Sequence, residues 1–101
     1  MTVGSSTVTT INPGRVPDAL AVSNKFKELI ARHGAKNLRI MLLLSSTPIR
    51  MVTSYEAEDQ AELGKIADGL LADPEFQPLM NEAFGVGGPS SGYITESWIE
   101  V

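Results

Sequence analysis

The chain has 101 residues, 43% hydrophobic and 20% charged, with twelve acidic residues against eight basic ones and a formal charge of −4. That length suits a single domain over 1–101, and the composition lies outside the disordered class; an acidic balance without a Lys/Arg cluster argues against nucleic acid, and the longest apolar run, Ile40 to Leu44, is far short of a membrane span. The absence of cysteine excludes disulfides and thiolate sites, and the opening MTVGSSTVTTINPG lacks the basic head and apolar stretch of a secretory signal, so the expected location is cytoplasmic.

Val3 to Thr10 is rich in Val and Thr and ends at the turn cluster Ile11-Asn12-Pro13-Gly14, which predicts a strand. The period then changes. Pro17 and Asp18 suit the first turn of a helix, and Ala19, Val22, Phe26, Leu29, Ile30 and His33 follow at three- and four-residue spacing until Gly34 supplies a stop. Leu38 to Leu44 is short and almost continuously apolar, the pattern of a strand covered on both faces. Ser45-Ser46-Thr47-Pro48 makes a tight connection to a second strand, Ile49 to Tyr55, and the two predict a hairpin.

Glu56 to Asp59 places negative charge at the start of a further helix, continued by Ala61, Leu63, Ile66, Ala67 and Leu70. Proline biases its predecessor away from helical geometry, so Asp73-Pro74 ends that helix near Ala72, while Asp73 as N-cap and Pro74 in the first turn start another. The new helix has Phe76, Leu79, Met80, Ala83 and Phe84 as its apolar set. Gly85 to Gly92 reads as a flexible loop, a candidate pocket lid, and Tyr93 to Val101 as a last strand. The order β-α-β-β-α(α)-β is that of an α+β, ferredoxin-like sandwich with helices on one face of the sheet. A second subunit is the natural cover for the other face, so a homodimer is expected.

The order of elements, the broken second helix with its ADPEFQPLMNEA stretch and the aromatic-bearing final strand resemble the dimeric α+β barrel superfamily, which includes NIPSNAP-like proteins, antibiotic-biosynthesis monooxygenases and small polyketide cyclases. The resemblance implies two four-stranded sheets packed face to face, and in each subunit a pocket between sheet and helices. It also implies a cofactor-independent enzyme that oxygenates, or deprotonates and cyclises, a hydrophobic aromatic or polyketide-like metabolite. A non-catalytic ligand-binding or assembly module of the same fold is the alternative.

The chemical inventory is sparse. His33, the only histidine, reads either as a structural group at the negative end of the first helix or as a general base, and a lone His without Cys or a nearby acidic spacing motif argues against a metal centre, with nothing positive for a haem held by one His. Arg39 and Arg50 lie on neighbouring strands, where they suit either a clamp on an enolate or rim ion pairs. Tyr55, Tyr93 and Trp98 are candidates to line an aromatic pocket, with packing as their other role. Glu96 shares a strand face with Trp98 and Ile94, and burial there would raise its pKa towards that of a general base. The expected site therefore has His33 or Glu96 taking a proton and Arg39, Arg50, Tyr55 and Trp98 holding the substrate, near the end of the first helix and the loop Gly85 to Gly92.

Overall fold

The computed structural model describes residues 2–101 and runs β1 (Val3–Ile11), α1 (Val16–Arg32), β2 (Lys36–Leu43), β3 (Arg50–Ala57), α2 (Gln60–Ala72), α3 (Phe76–Phe84) and β4 (Ser90–Ile99). The expected order of elements is present. The strands form one antiparallel sheet in the order β2-β3-β1-β4, with β1 paired to both β3 and β4. In that register Ser5 faces Tyr55 and Ser97, Thr7 faces Thr53 and Thr95, and Val8 faces Val52 and Ile94.

Alternation along β1 sorts the sheet into two faces. Val3, Ser5, Thr7, Thr9 and Ile11 look towards the helices, together with Met51, Thr53, Tyr55 and Ala57 of β3. The core is divided between the two ends of that inner face. At one end Val3, Leu29, Ile30, Ala57, Ile66 and Leu70 pack together, and at the other Ile11, Ala19 and Met51. The Ser23 hydroxyl of α1 donates to the sulfur of Met51 in the second cluster at 3.2 Å.

Helix α1 starts with a proline in its first turn and closes at Gly34, whose φ of 95° is the left-handed conformation that glycine adopts without strain. Helix α2 is capped by Asp59, whose carboxylate accepts the Glu62 N–H at 2.8 Å; Glu56, expected at the helix start, belongs to β3. The break at Asp73-Pro74 is real, but its capping differs from expectation. Asp73 Oδ1 accepts the Glu75 N–H at 2.9 Å and so caps the Pro74-Glu75 turn, while α3 begins a turn later behind Glu75 with no side-chain cap. Proline sets the backbone for that first turn, and the carboxylate reaches no farther than its second amide.

The glycine loop is shorter than the sequence suggested, because Ser90 to Gly92 belong to β4. It is also tied down. Asn12 donates from its backbone to Pro89 O at 2.8 Å and from Nδ2 to Gly88 O at 3.0 Å, and Arg15 Nη1 donates to Gly87 O at 3.0 Å.

Candidate functional site

Between the two core clusters the helices stand off the sheet and leave a cavity of about 270 Å3. Its cause is local. Where the ends of β1 present Val3 and Ile11 to the helices, the middle presents Ser5, Thr7 and Thr9, side chains too short to fill the gap. The neighbouring strands extend the same surface with Thr53 and Tyr55 on β3 and Ser90, Tyr93 and Thr95 on β4. Thr7 Oγ1 and Thr95 Oγ1 lie 2.9 Å apart and share a hydrogen bond.

The roof is of another character. Val22, Phe26 and Ile30 of α1, Leu70 of α2 and Phe76, Met80 and Phe84 of α3 make it apolar, with Ala19 and Ala83 leaving room. Phe26 meets Phe76 edge-on at 6.2 Å, which locks α1 against α3. On the side of β4, Phe84 and Tyr93 stack at 4.8 Å with their rings tilted by 44°, and Tyr93 is half exposed there. The cavity thus combines an aromatic and aliphatic roof with a floor of hydroxyls, suited to a flat ligand with oxygen substituents on one side.

Among the described residues, those lining the cavity include no Asp, Glu, Lys, Arg or His. The charged groups nearby are paired elsewhere. Lys25 Nζ bonds Glu82 Oε1 at 2.8 Å across α1 and α3, Arg32 pairs with Glu75, and Arg15 Nε bonds Asp18 Oδ2 at 2.7 Å. No group of three His, Cys, Asp or Glu gathers among the described residues into a metal-holding cluster.

Of the six residues singled out from the sequence, Tyr55 alone lines this cavity. Tyr93, also named as an aromatic candidate, joins it. Arg39, Arg50, Glu96 and Trp98 lie on the opposite face of the sheet, because they share strand parity with Gly4, Ser6 and Val8, not with Ser5 and Thr7. The structure therefore does not bring them together with Tyr55. His33 closes α1, and its Nε2 lies 2.8 Å from Asp73 Oδ2 in a partly buried pair, with the imidazole packed where Gly69 has no side chain. The Glu75 amide and then His33 hold the Asp73 carboxyl below the usual carboxylate range. This pair ties the end of α1 to the α2–α3 break and stands outside the cavity lining.

The hydroxyl floor is what sequence reasoning missed. Its signal was present in β1, where Ser5, Thr7 and Thr9 share a face with Val3 and Ile11; polar residues bracketed by core residues on one strand face mark a place the core does not fill.

The sequence matches no family model and no curated protein. Solved structures do match. A NIPSNAP domain protein from Burkholderia xenovorans superposes with a TM-score of 0.75 at 21% identity, over 100% of this chain and 95% of that one. The chain has the same fold as this NIPSNAP domain protein. A NIPSNAP family protein of unknown function from Agrobacterium tumefaciens gives 0.77 at 11% identity, over 96% and 86% of the two chains. SnoaB, a cofactor-independent oxygenase from Streptomyces nogalater, gives 0.74 at 14% identity, over 99% and 93%. At these identities the likeness is one of fold, the ferredoxin-like α+β fold expected from the order of elements. No helix among the described residues is long and apolar enough to cross a membrane.

Proposed function

We propose that this NIPSNAP-fold chain is a small enzyme that oxygenates an enolisable, polycyclic aromatic ketone of polyketide type without a cofactor. The observation that carries the reading is the cavity itself, with an apolar roof of Phe26, Phe76, Met80 and Phe84 over a floor of hydroxyls. Rings stack or wedge against the roof, while Tyr55, Thr53 and Thr95 donate hydrogen bonds to ketone or enol oxygens below. The fold shared with SnoaB, a cofactor-independent oxygenase, agrees with this chemistry.

The lining holds no charged base, which favours oxygenation over a cyclisation driven by proton abstraction. In an anthrone the methylene is conjugated through the fused rings to the ring ketone, so the molecule tautomerises by itself to an electron-rich hydroxyanthracene enol. The former methylene carbon forms a bond to one atom of dioxygen, and the enol proton ends on the other, giving a hydroperoxide. Cleavage of the O–O bond with loss of the remaining hydrogen on that carbon then releases water and leaves a ketone. The substrate is the reductant, one oxygen atom stays in the product and the other leaves as water. The protein contributes binding, orientation and hydrogen bonds to the enol oxygen as charge develops on it. The test is oxygen uptake with anthrone in chelator-treated buffer. One dioxygen consumed per quinone formed, above the uncatalysed rate, supports the reading; tight binding without acceleration leaves a ligand-binding module of the same fold.

We further infer that the outer sheet face is covered by a second copy of the chain. Val8, Met41, Val52, Ile94 and Trp98 lie on that face, with Met41 44% and Ile94 67% exposed, a patch of the kind that soluble chains bury in an interface. Arg39 and Arg50 sit towards its β2 side and Glu96 towards β4, so a two-fold arrangement can set the basic side of one copy against the acidic side of the other.

A further inference from the structure

The cavity's polar groups are of one kind. Ser5, Thr7, Thr9, Ser23, Thr53, Tyr55, Ser90, Tyr93 and Thr95 offer hydroxyls, which donate and accept hydrogen bonds but carry no compensating charge, and the remaining side chains are aliphatic, aromatic or thioether. The cations that would offset an acidic ligand are out of reach in a defined way. Arg39 and Arg50 are on the far face of the sheet, Lys25 is paired to Glu82 of α3 and Arg32 to Glu75 just before it, and Arg15 is engaged with Asp18 and the Gly87 carbonyl. His33 is turned to Asp73, itself an acid.

From this we infer that the site selects for net neutrality: it takes ketone, phenol, amide or ester forms of its aromatic ligand and rejects the matching carboxylate or phosphate. The inference rests on the cavity being the ligand site and narrows the class of molecule it holds. A localised anion entering it exchanges water for neutral hydroxyls, with no cation in the lining to offset the loss. A delocalised enol oxygen meets a smaller penalty, since its developing charge spreads over the rings and one or two hydroxyl donors serve it. Discrimination therefore falls between two ligands of the same size that differ only in charge. It has a consequence for the reaction sequence: any step that removes a carboxyl group from such a ring system, or masks it, must come before this site is used.

The test compares anthraquinone-2-carboxamide with anthraquinone-2-carboxylate, two rigid three-ring probes of nearly equal volume, by calorimetric titration at pH 7.5 of the wild-type chain and of Ala83→Leu, which narrows the cavity. Only binding lost in Ala83→Leu is counted as cavity binding. The expected result is carboxamide binding that Ala83→Leu removes, with the carboxylate about 100-fold weaker or undetectable, as follows from stripping an unpaired carboxylate of water. Cavity binding of the two probes within threefold of each other overturns the charge selection while leaving the cavity as the ligand site. Failure of both probes to bind, or binding of the carboxamide that Ala83→Leu leaves intact, overturns the cavity reading and the selection with it.

Discussion

The indole of Trp98 occupies the space that a side chain at Gly4 would need, and its Nε1–H donates to Ser6 Oγ at 3.1 Å across the outer face of the sheet. Gly4 and Trp98 are register partners on β1 and β4, so the smallest residue on one strand makes room for the largest on the other. A methyl group there forces the ring off β1 and breaks its bond to Ser6. Gly4→Ala is expected to cost about 1–3 kcal/mol in urea unfolding, the usual penalty for overpacking a filled site. A loss below about 0.5 kcal/mol, the range of unremarkable surface changes, would contradict the packing.

The same face makes the assembly testable. Val8 lies at its centre between Val52 and Ile94. Val8→Glu sets a like charge against itself across a two-fold contact, and sedimentation is expected to move from twice 10.8 kDa for the wild type to 10.8 kDa for the variant. A wild type that sediments as a monomer at micromolar concentration would remove the second copy from the account.

Asp73 ties three elements through the Glu75 amide and His33. Its carboxyl is held below its ordinary value of 3.8, chiefly by the Glu75 N–H and next by His33. A depressed carboxyl pKa contributes stability that is fully present above the unfolded value and is lost as pH falls through the folded one. Asp73→Asn should therefore be less stable than wild type at neutral pH, with the difference shrinking as the pH falls below about 4, the ordinary carboxylate range. A difference independent of pH from 7 to 2 would show that the charge has no such role.

Ala83 is 4% exposed on the cavity side of α3. Ala83→Leu adds apolar volume where there is space and no charge, so its stability should stay within about 1 kcal/mol of wild type, on the scale of well-tolerated core changes. Loss of several kcal/mol would mean that the cavity is too small to accept even this side chain.

The sheet, the helical layer and the break at Asp73-Pro74 were legible because each rests on local signals: alternation, 3.6-residue periodicity and proline. The site was legible only in part. Aromatic and charged residues stand out in a sequence, so Trp98, Arg39 and Glu96 were grouped with Tyr55 by chemistry, yet alternation along a strand does not say which face the helices cover. That depends on long-range pairing, which puts residues 96 and 98 on the parity of Gly4 and away from Ser5. The hydroxyl floor looked like ordinary β-propensity, since Thr and Ser on separate strands gain meaning only when β1, β3 and β4 align Thr7 with Thr53 and Thr95.

The most direct measurement is amide chemical-shift mapping during titration with anthraquinone-2-carboxamide. A ligand between sheet and helices is expected to move the signals of Ser5, Thr53, Tyr55, Ala83 and Ser90 most, while Val8, Val52 and Glu96 respond weakly. Shifts concentrated on Val8, Val52, Glu96 and Trp98, with the cavity residues unmoved, would contradict the account.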